Sequence, residues 1–211
     1  MRDRLRARLL GGAVDSNEWL TTATGILLVV LLAVLGITII WIGQLIWLHL
    51  FLGLLLMGPV ALKMASTGYR FARYYTRDDR YVERGPPLLP LRVIAPAVVL
   101  LTVIVFASGI VLLFEGPRSR GTWLTIHKVS FIAWIAFTAV HVLGHLPEVG
   151  RILRIPRSVA REPALAGGDG AAGRWIAIAG ALVAGAVLAI VLIPDFGVWT
   201  AHGALAHHHH G

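Results

Sequence analysis

Residues Trp123–Glu148 read Trp-Leu-Thr-Ile-His-Lys-Val-Ser-Phe-Ile-Ala-Trp-Ile-Ala-Phe-Thr-Ala-Val-His-Val-Leu-Gly-His-Leu-Pro-Glu. The stretch is long and apolar enough to cross a bilayer as one helix, yet it carries His127, His141 and His145. At about 100° per residue, His127 and His141 fall within about 40° of each other and about 21 Å apart along the axis. His145, one turn further on, returns to the azimuth of His127. Hydrocarbon offers an imidazole no water, so an ionisable residue inside a span points to function.

The whole chain supports a membrane reading. It has 211 residues, of which 57% are hydrophobic and 14% charged, a balance foreign to a soluble domain with one core. The formal net charge of +8 does not mark a nucleic-acid-binding protein, because the arginines sit in loops beside apolar spans, where topology and anionic lipid account for them. With no cysteine there is no disulfide, no iron–sulfur cluster and no thiolate-bound haem. A basic N-terminus (Arg2, Arg4, Arg6, Arg8) before an apolar run raises a signal peptide. The long polar lead, the length of the run and the lack of a small-x-small site favour a retained first span.

From Thr24 to Ala65 the strongly polar side chains are Gln44, His49 and Lys63. As helix this stretch would measure about 63 Å, twice a bilayer core of about 30 Å, so it must fold into a hairpin, turning at Gly43-Gln44. The expected fold is all-α: a single integral membrane bundle of five transmembrane helices. The spans are 20–42, 45–66, 93–114, 123–146 (stopped by Pro147) and 174–193 (stopped by Pro194), with long loops at 67–92 and 147–173. Gly58-Pro59 is expected to kink the second span, and the 147–173 segment to be a mobile loop. In span 5, Ala177, Ala181, Gly185 and Ala189 recur every four residues, a stripe that lets helices approach closely.

With the N-terminus inside, sixteen Lys/Arg fall on the cytoplasmic pieces and three outside (Arg118, Arg120, Lys128). The positive-inside rule therefore predicts a multi-pass plasma-membrane protein with a cytoplasmic N-terminus and an external C-terminus. Tryptophans fit interface positions, with Trp41, Trp47, Trp123 and Trp199 at the outer side and Trp19 and Trp175 at the inner.

Spans 2 and 4 run in the same direction, and His49 and His127 each lie near the outer start. They can face one another at one depth, the geometry of a haem b iron held by two imidazoles from two helices, so the haem-binding core is expected from spans 2 and 4. Such an iron has no open position, which favours electron transfer over oxygen chemistry. Gly53, one turn below His49, would leave room for a flat macrocycle. Lys63 lies fourteen residues after His49, as His141 lies fourteen after His127. The inner level thus pairs His141 with a lysine where a second two-histidine site would need histidine.

These residues, His49 on span 2 with His127 and His141 on span 4, resemble the small membrane-bound b-type cytochromes of the cytochrome b561-like and cytochrome b/b6-like kind. The likeness covers about Trp41–His145, and Lys63 departs from its pattern. It implies a haem-binding helical bundle that passes electrons between a quinone pool or partner redox subunit and an acceptor. One haem b, or two if His141 is a ligand, would be the cofactor, with a quinone as a further candidate. Pairing of His49 with His141 instead of His127 stays open, as does a homo-oligomer. With no soluble segment long enough for a flavin or nicotinamide domain, the chain reads as an electron-transfer subunit of a membrane oxidoreductase.

Other residues carry alternatives. His141, His145 and Glu148 at i, i+4 and i+7 have the spacing for a divalent metal. Lys63, Arg70 and Arg73 are candidates for haem propionates or a quinone head group, against snorkelling and lipid-phosphate contact. His145 is also placed to cap the helix or meet a propionate. The His207–His210 run reads as a loose external metal binder or a tag remnant, outside the mechanism. Ser130, three residues from His127, has no acid to support hydrolysis. Two other classes therefore stand beside the cytochrome: a non-haem metal or proton-coupled transport protein, disfavoured by the few polar residues in spans 1, 3 and 5, and a cofactor-free membrane anchor.

Overall fold

A computed structural model describes residues 13–77, 89–117, 119–154 and 171–201, with the side chains of 13–18, 89–93, 144–154 and 171 outside it. The described residues form helices and turns, without strand: α1 (Ala13–Ile40), α2 (Ile42–Tyr75), α3 (Leu89–Glu115), α4 (Gly121–Arg154) and α5 (Ala171–Val191), then a 3-10 turn (Ile193–Phe196) and the short α6 (Gly197–Thr200). Five of these helices are long and apolar enough to cross a membrane. The chain is an all-α membrane protein. Large aliphatic side chains such as Ile26, Val30, Leu100, Ile132 and Val183 stand on the outside of the bundle, as a lipid solvent requires.

The helices pack as a three-helix group, with α1 and α5 against α2, beside an α3–α4 hairpin that touches it lightly. The first turn falls two residues before the expected Gly43-Gln44. Trp41 breaks the helix (φ −114°, ψ 42°), and Leu45 departs from helical angles again (φ −108°, ψ 18°). Between them Gln44 and Leu45 both donate to the Trp41 carbonyl, which tightens the turn.

Spans 2 and 5 cross where side chains vanish. A Cβ on Gly58 would overlap the Ala181 carbonyl, and one on Gly185 would overlap the Leu55 carbonyl. The stripe read from span 5 is thus a packing face. At Gly58-Pro59, where a kink was expected, helical angles continue through both residues. Pro59 has no N–H for the Leu55 carbonyl, and that carbonyl instead lies against the Gly185 backbone, where weak Cα–H donors are available.

Two expected boundaries move. The helix of span 2 continues past Ser66 to Tyr75, taking in the first part of the expected loop. Pro147 does not stop span 4, which stays helical to Arg154. Pro147 has no N–H for the Leu143 carbonyl, and the helix continues through it. The rest of both expected loops, including the mobility assigned to 155–170, lies outside the described residues.

The C-terminal turn is a plug, where a plain tail was expected. Phe196 and Trp199 are buried with Leu54, Leu112, Leu113 and Ala189, and Trp47 meets the Phe196 ring edge-on. Trp199 donates from Nε1 to the Leu112 carbonyl at 3.1 Å. It is a core residue, unlike the exposed Trp41 and Trp47 at the same end. At the opposite end Trp19 and Trp175 meet edge to face, with the Arg174 guanidinium 5.1 Å from the Trp19 ring.

Candidate functional site

Each of the two helical hairpins carries one imidazole turned onto its partner helix. On the first, His49 of α2 places Nδ1 2.9 Å from Oγ1 of Thr38 on α1. Thr38 is fully buried, and its hydroxyl donates to the Leu35 carbonyl at 2.6 Å. While that bond holds, the hydroxyl accepts from the ring, an arrangement that calls for the Nδ1–H tautomer of His49 with the lone pair on Nε2.

The second hairpin repeats the arrangement. His127 of α4 places Nδ1 3.0 Å from the Val105 carbonyl and 3.1 Å from Oγ of Ser108, both on α3. A carbonyl cannot donate, and Ser108 gives its own proton to the Ile104 or Val105 carbonyl, at 2.7 and 3.0 Å. His127 is therefore also an Nδ1–H tautomer with its lone pair on Nε2. Gly109 makes the fit possible, since a Cβ there would lie 3.3 Å from His127 Cε1.

Further along α2, an apolar groove of about 300 Å³ opens between α2 and α3, lined by Met57, Ala61 and Met64 on one side and Phe106, Ala107 and Ile110 on the other, and neither histidine lines it. The α3 turns that hold His127 are the ones that line this groove. A Cβ on Gly53 would meet nothing within 4 Å, so the space expected below His49 is open. About two turns along the second hairpin from His127, Trp134 donates from Nε1 to Thr102 Oγ1 at 2.8 Å.

The other candidates lie elsewhere. Lys63 turns into the first hairpin and donates to the Thr21 carbonyl at 2.6 Å. Arg70 and Arg73 stand on the α2 extension beyond it, Arg73 with its guanidinium 5.9 Å from the Tyr69 ring. His141 is half-buried on α4. His145 and Glu148 belong to the same helix, with side chains outside those described, and His207–His210 are also outside. Among the described residues no three His, Cys, Asp or Glu side chains gather as a metal site.

Thr38, Ser108 and the Val105 carbonyl escaped the sequence reading. The signal was present: Thr38 is the lone hydroxyl in Gly25–Ile40 and Ser108 the lone one in Val103–Phe114, each across a turn from a histidine.

The chain matches no protein-family model, no curated protein and no solved structure.

Proposed function

We propose that this protein is a membrane b-type cytochrome, in which His49 and His127 hold one haem b and single electrons pass through it. The observation that carries the reading is the pair of tied imidazoles. Histidines that bind metal through one ring nitrogen almost always donate the other N–H to an oxygen acceptor, and both rings here hold Nδ1 within hydrogen-bond distance of one. That leaves Nε2 of each ring as the atom a two-histidine haem would take.

When bound, the haem would supply the one-electron redox couple. The chain's own residues do the rest. His49 and His127 are the ligands, Thr38, Ser108 and Val105 orient them, and the surrounding Leu, Val, Ile, Met and Phe side chains keep water away. The exchange partners would be a quinone or another redox subunit. Charge distribution orients the protein with its N-terminus cytoplasmic and the histidine level towards the outer face of the plasma membrane.

The test is direct. Protein purified in mild detergent from haem-replete cells should show a low-spin b-type spectrum that sharpens on reduction with dithionite. His49→Ala or His127→Ala should abolish haem retention. Full haem content in both variants would remove the ligand assignment, and a colourless wild-type protein would remove the function.

A further inference from the structure

We infer that Thr38 and Ser108 are positioning residues that set the basicity of the two imidazoles, and that they do so unequally. The inference rests on the haem reading above and concerns how α1 and α3, which bring no ligand, act on the ligands of α2 and α4.

The two hydroxyls share a construction. Each closes on a carbonyl of its own helix, Thr38 on Leu35 and Ser108 on Ile104 or Val105, and so offers the imidazole a lone pair and no proton. Each is sealed from solvent, Thr38 at 0% and Ser108 at 1% exposure, so water cannot replace a deleted hydroxyl. The ring facing such an acceptor holds its proton on Nδ1 and its lone pair on Nε2. A hydrogen bond from Nδ1–H also pushes electron density into the ring and strengthens Nε2 as a donor to iron. A stronger axial donor favours ferric over ferrous haem and lowers the reduction potential.

The inequality follows from the acceptor count. His127 has a backbone carbonyl as well as a hydroxyl, and no substitution removes the Val105 carbonyl. For His49 the described acceptor is the Thr38 hydroxyl. Thr38 therefore controls its histidine, whereas Ser108 reinforces a bond that survives without it.

Two measurements test this. The first needs no haem: nitrogen-15 NMR of the full-length apoprotein with labelled histidine rings reads which ring nitrogen carries the proton. Wild type should show Nδ1–H at both His49 and His127. Thr38→Val should give a mixed tautomer at His49, Thr38→Ser should restore it, and Ser108→Ala should leave His127 as Nδ1–H. The second is a redox titration of the haem-loaded proteins. Thr38→Val should raise the midpoint potential, Thr38→Ser should return it, and Ser108→Ala should raise it less than Thr38→Val does. Ser108→Ala keeps a carbonyl acceptor in place, so it holds the test open should Thr38→Val fail to fold.

An Nε2–H tautomer at either wild-type histidine overturns the inference. So does a coloured protein in which Thr38→Val and Ser108→Ala both match wild type, and in that case the cytochrome reading stands. A colourless wild type overturns both.

Discussion

Lys63 on α2 reaches across the first hairpin and donates from Nζ to the backbone carbonyl of Thr21 on α1. Around it Thr21 Oγ1 donates to Ser66 Oγ, and Ser66 Oγ donates back to the Lys63 carbonyl. Gly25 leaves the passage for the ammonium, since a Cβ there would come within 3.2 Å of Nζ. The lysine is thus a strut between two helices, placed where the sequence pattern asks for an inner ligand.

Lys63→Met should therefore cost stability and leave the histidine level alone. A hydrogen bond from a charged donor contributes about 1.5–3 kcal/mol, and the loss should fall in that range. Reversible unfolding in mixed micelles measures it. The haem-to-protein ratio should stay at the wild-type value. A folded Lys63→Met protein that had lost haem would assign the lysine to the cofactor.

The crossing of α2 and α5 makes a second expectation. Gly58→Val or Gly185→Val would drive a side chain into a backbone carbonyl of the facing helix, which no rotamer change relieves. Overpacking of this kind costs about 1–3 kcal/mol in cores that can adjust, and more where backbone must move. Both variants should be lost from the monodisperse fraction in detergent, or melt far below wild type. Gly53→Ala on the same helix has open space around it and should stay within about 1 kcal/mol of wild type. Equal behaviour of all three would mean that the crossing does not hold the bundle.

What could be read from the sequence followed the physics of each signal. Spans announce themselves because hydrocarbon demands some twenty apolar residues in a row, so all five were legible. Their ends were not. Proline at 147 is a common helix stop, yet α4 runs on through it to Arg154. His49 and His127 stood out because an imidazole is costly in lipid. Thr38 and Ser108 did not, because a hydroxyl in a span usually closes on its own helix, and only the structure shows that these two also lie within hydrogen-bond distance of an imidazole. The direction of Lys63 was hidden for a similar reason: it depends on the gap at Gly25, which no periodicity encodes.

Trp199 offers a third test, of the C-terminal plug. The indole is 6% exposed and packs with Leu54, Leu112 and Phe196 at the end of the bundle. Trp199→Ala should cost about 3–5 kcal/mol, the usual range for emptying an aromatic site. Trp199→Phe keeps most of the packing and loses the bond to the Leu112 carbonyl, which still accepts from Gly116 N–H. It should cost about 0.5–1.5 kcal/mol. The ratio of the two effects, read from unfolding midpoints, separates packing from hydrogen bonding. If Trp199→Ala were as mild as Trp199→Phe, the last turn would not be part of the core.

On the proposed cytochrome reading, the number of haems turns on Lys63 and His141. Span 4 repeats histidine after fourteen residues, but the matching position on span 2 is lysine, and its ammonium is engaged with α1. A second haem at that level would therefore find one imidazole and no ligand from α2, whereas at the proposed site His49 and His127 each hold Nδ1 within hydrogen-bond distance of an oxygen. The expected stoichiometry is one haem per chain by pyridine haemochrome assay against quantified protein. His141→Ala should keep that ratio and the low-spin spectrum, while His127→Ala should lose both. A wild-type ratio of two, falling to one in His141→Ala, would make His141 a ligand and require its partner to come from another helix or a second chain.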